Sequence, residues 1–254
     1  MSELFVADLQ RILWRPFTRA LALVVLILVA ITGASVFFQS GGEHPFTTLT
    51  ALPAALGDAA GLLALAGFVS GATFFGADYA SRALTTLLTW EPRRSRVLAA
   101  RAVSCAAVIA CGSLAALALL CVALLPAALA HGSGGAPTAA WYLSMAGLAL
   151  RCALLAAAVS AIGVSCAAIG RSTGAALAIV ALYLIGVERT ASAIGLWLSR
   201  WLLFALARSW VASGPRSSAA PDGHTIVTSG LLLLVAVLAL FAFASWALSH
   251  TDIA

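Results

Sequence analysis

Long apolar runs separated by short polar stretches organise this chain, and their lengths carry the first reading. Residues 20–38 hold no charge and are rich in Leu, Val and Ile. About 20 residues at a 1.5 Å rise cross the hydrocarbon of a bilayer, so this run predicts a first membrane span. The same argument places spans at 59–77, 102–126, 152–170 and 226–248. The apolar stretch around the third span exceeds what the bilayer needs, so that helix must tilt or protrude. The fourth span is started at Cys152 because Arg151 at the bilayer midplane would cost roughly 2.5–3.5 kcal/mol. A sixth run, 172–187, ends early at Glu188 and Arg189. The pieces that follow, 190–199 and 201–207, are divided by Arg200 and are each too short to cross. Region 188–210 therefore predicts a re-entrant or outer-interface segment, since irregular backbone at membrane depth is tolerated only inside protein or beside water. Were 190–207 to cross, the chain would have seven spans.

The amino-terminal residues 1–18 show a different pattern. Leu4, Phe5, Leu9, Ile12 and Leu13 fall near helical spacing, while Glu3, Asp8, Arg11 and Arg15 take the other face. Such a helix lies in the membrane interface rather than across it. Pro16 ends it before the first span. The expected fold is thus all-α: a polytopic bundle of six transmembrane helices, preceded by an amphipathic interfacial helix, with one re-entrant or interfacial region between spans five and six.

Composition strengthens this picture. Apolar residues make up 63% of the 254 and charged residues 9%, against about 45–50% and about 25% in soluble domains. The length leaves no room for a second sizeable domain, so 1–254 reads as one transmembrane domain. All 14 basic residues are Arg. Without a Lys, the chain cannot contain the phosphate-binding loop G-x-x-x-x-G-K-[ST], whose Lys reaches the terminal phosphates. If ATP drives it, another polypeptide hydrolyses the ATP. Absent Lys and abundant Ala also point to a GC-rich, bacterial genome. The net charge of +5 is no nucleic-acid signal, because the Arg residues cluster at helix ends. Nine Arg fall on the side of the amino terminus (11, 15, 19, 82, 93, 94, 96, 101, 171) and five on the other (151, 189, 200, 208, 216). The positive-inside rule then sets the amino terminus in the cytoplasm. The five Cys lie in apolar stretches and read as small core residues.

Few residues could carry chemistry. Segment 78–101 is the most polar internal stretch. Leu84, Leu87 and Leu88 form an apolar stripe on a short helix that Pro92 breaks, and Arg93, Arg94 and Arg96 follow at headgroup height. Physics alone reads it as a cytoplasmic loop with a short amphipathic helix, its arginines a positive-inside anchor. Glu188 and Arg189, ionisable at membrane depth, are candidates for a gate or pathway, with Arg151 a possible partner for Glu188. Gly170-Arg171-Ser172-Thr173-Gly174 matches the hydrolase string G-x-S-x-G, but lies in a predicted turn where Ser172 can cap span five. No His spacing fits a metal, and no catalytic residue or metal site is expected.

Asp78 closing span two, then Arg82, Leu84, Thr85, Leu87, Leu88, Glu91, Pro92, Arg93, Arg94, Arg96 and Arg101, resembles the permease subunits of ABC-2 type transporters. Asp78, Leu84 and Arg101 stand where that family more often has Glu, Gly and Lys. The likeness extends to the amphipathic first helix, the six spans and the broken region before the last span. It implies that 78–97 is a cytoplasmic coupling loop, with 79–90 a coupling helix flanked by Glu91–Arg96, docked on an ATP-binding subunit. It further implies two copies of that subunit, which would hold ATP and Mg, and a second permease copy or sister permease in the same bacterial cytoplasmic membrane. This chain would itself bind no cofactor and would export a hydrophobic or amphipathic cargo by alternating access. The competing expectations are a non-ABC transporter subunit or membrane anchor and, third, an intramembrane hydrolase.

Overall fold

The computed structural model describes residues 10–12, 14–39, 52–81, 83, 94–131, 138–194, 200–211 and 225–250. Regular structure among them is entirely helical. The long helices are α1 (Pro16–Gln39), α2 (Leu52–Ala80), α3 (Arg94–His131) and α4 (Ala139–Gly170). Then come α5 (Thr173–Ala181), a π-helical stretch (Leu182–Glu188) and α6 (Arg189–Ala193), which run on without a break. The short α7 (Leu203–Val211) and the long α8 (Ile226–His250) complete the fold. Six helices are long and apolar enough to cross a membrane: Pro16–Ser35, Ala55–Ala80, Arg94–Leu124, Ala139–Gly170, Thr173–Ala191 and Ile226–His250. The protein is a polytopic helical membrane protein.

Local chemistry explains the helix ends. Pro16 occupies the first position of α1, where a missing N–H costs nothing and the fixed φ favours the helix. The Thr138 hydroxyl accepts from the Trp141 N–H at 3.3 Å and caps α4. The Ser172 hydroxyl accepts from the Ala175 N–H at 3.1 Å and caps α5. Between them Arg171 adopts the left-handed conformation (φ 55°), which reverses the chain within two residues. Ser172 is thereby part of a turn, and its hydroxyl is engaged in capping.

Two helices run past the span ends expected from the sequence. The helix that contains 152–170 begins at Ala139 and carries Arg151 within it, where the Trp210 carbonyl of α7 accepts from the guanidinium. The helix that starts at Thr173 does not stop at Val187 either. Glu188 and Arg189 lie inside a continuous helical run that reaches Ala193. The π-helical stretch absorbs the local mismatch there, as single-turn π segments do.

Helix α4 is the centre of the bundle: 67% of its span is buried, against 6% for α1. Its principal partner is α2, with α3 next. Small residues let the α2 and α4 backbones touch. A Cβ on Gly67 would come 2.5 Å from the Ala156 carbonyl oxygen. One on Gly71 would strike the Ser160 carbonyl, and one on Gly163 of α4 would strike the Phe68 carbonyl. In lipid no hydrophobic force drives helices together, so this close packing carries the association. The core has two halves. One, at the Asp78 end of the bundle, gathers Phe74, Phe75, Leu98, Cys105, Val164 and Leu248. The other gathers Leu56, Leu117, Leu148, Cys152, Leu206 and Leu233.

Gly71→Ala is expected to destabilise the protein by about 1–3 kcal/mol, the usual cost of overpacking. Gly61→Ala, on the same helix with open space around it, is expected to be neutral. Thermal unfolding of both variants in detergent checks this, and equal melting temperatures would contradict the packing described.

Candidate functional site

Asp78 lies in the last turn of α2 with its side chain fully buried. A carboxylate taken from water costs several kcal/mol even after the protein relaxes, so it needs cationic partners. Three guanidiniums converge on it. Arg11 contacts Oδ1 at 3.0 Å and Arg15 contacts the same oxygen at 2.9 Å. Arg101, from the second turn of α3 and only 1% exposed, pairs with Oδ2. Phe74, one turn before Asp78, supplies the rest of the seat. The Arg15 and Arg101 guanidiniums lie 4.7 Å and 5.3 Å from its ring centroid, a geometry worth about 0.5–2 kcal/mol each. Arg15 also donates to the Phe74 carbonyl at 3.2 Å.

The cluster joins three parts of the chain. Arg11 and Arg15 come from the segment before α1, Asp78 and Phe74 from α2, and Arg101 from α3. Ile12, on the same turn as Arg11, is 4% exposed and packs into the neighbouring core. Among the described residues, Ile12 and the ion pairs of Arg11 and Arg15 thus hold the pre-span segment. A further tie is made by Arg94, which donates to the Leu248 carbonyl at 2.8 Å and links the start of α3 to the end of α8. Arg96 is partly buried near the start of α3. Arg82, Thr85, Leu87, Leu88, Glu91, Pro92 and Arg93 lie outside the described residues.

At the opposite end, Glu188 and Arg151 both serve α7. Glu188 Oε1 accepts from the Phe204 N–H at 2.6 Å, and the Tyr183 hydroxyl accepts from the Leu203 N–H at 3.1 Å. These two side chains satisfy the first N–H groups of α7 and place negative charge at its positive end. Arg151 grips the other end. It donates to the Trp210 carbonyl at 3.2 Å, and the Trp210 indole N–H donates to the Arg151 carbonyl at 3.1 Å. The Trp210 ring covers Gly230 of α8, where a Cβ would collide with it. Thus α7 is clamped to α4, α8 and the π-helical stretch. Arg189 sits next to this clamp and is exposed.

The sequence marks Glu188 and Arg151 as ionisable residues at membrane depth, and Asp78 through the family resemblance alone. It does not identify Arg11, Arg15 and Arg101 as the partners of Asp78. One signal was present: Arg11 and Arg15 are four residues apart and share a helix face. Nor does the sequence show that Trp210 meets Arg151. Compared with known proteins, the chain matches no family model and no curated protein.

Asp78→Asn removes the carboxylate on which three guanidiniums converge. It is expected to cost about 3–5 kcal/mol, a fall in melting temperature of roughly 6–20 °C. Arg11→Gln removes the most exposed partner and is expected to shift the melting temperature far less. Thermal unfolding in detergent measures both, and similar small shifts would show that Asp78 is not the anchor.

Proposed function

We propose that the chain is the transmembrane subunit of an ABC-2 type ATP-driven exporter in a bacterial cytoplasmic membrane, its amino terminus in the cytoplasm. The observation that carries this reading is the Asp78 cluster. It binds the pre-span segment, the end of α2 and the start of α3 into one unit. Those are the two ends of loop 81–93 together with the segment beside it. A force applied to that loop reaches all three elements at once, which is what a subunit driven from its cytoplasmic face requires.

In this reading the loop carries the coupling helix, and Leu87 and Leu88 dock on an ATP-binding subunit. Arg82, Thr85, Glu91, Pro92 and Arg93 flank that contact, and Arg94 and Arg96 continue it onto α3. ATP and Mg belong to the partner, in line with a chain that has no Lys for a phosphate loop of its own. Two such partners and a second permease complete the transporter. Closure of the ATP-bound partners moves the unit around Asp78, and α2 transmits this to α4 through their glycine contact. In this reading the end where Glu188 and Arg151 hold α7, with Arg189 beside them, is the gate, and a hydrophobic or amphipathic cargo passes by alternating access.

Expression together with the ATP-binding subunit encoded nearest to it tests the proposal. The two chains are expected to co-purify, and the Leu87→Asp, Leu88→Asp double substitution is expected to abolish co-purification without changing the melting temperature of the permease. Undiminished association would overturn the docking assignment.

A further inference from the structure

The helical run from Thr173 to Ala193 changes its hydrogen bonding part-way. Across Leu182–Glu188 it is π-helical, and the Arg189 N–H donates to the Leu184 carbonyl, five residues back. Just before that stretch the Leu182 N–H is shared between the Ala178 and Ile179 carbonyls, four and three residues back. We infer that the π-helical stretch is a register switch for α7. In the π register Glu188 holds the start of α7. In the α register Val187 takes its place and that end of α7 is released.

Three observations carry the inference. The first is the face that each register presents. The Tyr183 hydroxyl accepts from the Leu203 N–H at 3.1 Å, and Glu188 Oε1 accepts from the Phe204 N–H at 2.6 Å. Tyr183 and Glu188 are five residues apart. Five residues of α-helix end about 140° away from the starting face, so an α-helix would point these two side chains apart. The i→i+5 bonding of a π-helix stacks them instead. In an α-helix the residue stacked on Tyr183 is four positions on. That residue is Val187, whose side chain can accept no hydrogen bond. The second is freedom to turn. No residue of the stretch is buried, and Leu182 and Ile185 are 73% and 72% exposed. A change of register therefore disrupts no core packing. The third is dependence. The first N–H groups of a helix have no acceptor within it, and those of Leu203 and Phe204 are met from the π-helical stretch. The other end of α7 is held separately, by the reciprocal bonds of Arg151 and Trp210. Withdrawal of Glu188 thus frees one end, and α7 swings on the other.

In the proposed transporter this switch would release the gate, so it extends that reading. Its test needs no ATP-binding partner, and failure of the switch would leave the docking of loop 81–93 and the transport role untouched.

Hydrogen exchange at the Leu203 and Phe204 amides, read by fragmentation mass spectrometry on the full chain in lipid nanodiscs, tests the inference. Glu188→Ala is expected to speed exchange at Phe204 by about tenfold or more, the effect of one lost bond to a charged group. The Val187→Glu, Glu188→Ala double variant moves the carboxylate back by one position. It is expected to return exchange to within about threefold of the unsubstituted chain, because the stretch settles in the α register and sets the carboxylate on α7. Neither position is buried, so melting temperatures are expected to change little. Unchanged exchange in Glu188→Ala, or fast exchange that the double variant does not reverse, would overturn the switch.

Discussion

A single buried carboxylate sets the terms for one end of this protein. Asp78 is fully buried, and a lone charge at that depth would drive the end of α2 back toward water. Recruiting Arg101 fixes the angle between α2 and α3. Recruiting Arg11 and Arg15 holds the pre-span segment on the bundle. Phe74 lies under the Arg15 and Arg101 guanidiniums, so the ion cluster and the apolar core share one side chain. Because α2 is also the main partner of the central helix α4, whatever moves Asp78 moves the bundle's axis.

The other end follows the same logic with weaker groups. There a short helix, α7, has its first N–H groups met by Tyr183 and Glu188 and its last turn met by Arg151. Each bond contributes about 0.5–3 kcal/mol, less than a buried ion pair can lose when broken. The bundle is thus tightly bound where the pre-span segment enters and more lightly latched where α7 lies.

Much of the fold was legible in the residues because lipid imposes simple rules. Charge-free runs of bilayer length mark the spans, and they do so for α1, α2, α3 and α8 with little ambiguity. Legibility failed where a distant contact changes the local cost. Arg151 argues against a span when read alone, yet Trp210, 59 residues away, takes up its guanidinium. Glu188 argues for a helix end, yet it caps the N–H of a residue 16 positions on. The partners of Asp78 were hidden for the same reason, since Arg15 is 63 residues away. Asp78 was conspicuous only through the resemblance that starts from it. What holds it is a matter of helix packing, which in turn rests on Gly67, Gly71 and Gly163 meeting backbone rather than side chains.

The central claim is that Asp78 and its arginines act as one unit, and a double-mutant cycle tests it most directly. Unfolding free energies of Asp78→Asn, Arg101→Gln and the double variant would be compared in detergent. The account predicts strong coupling, of about 1–3 kcal/mol, with the double variant little worse than Asp78→Asn alone. Simple addition of the two single costs would contradict it.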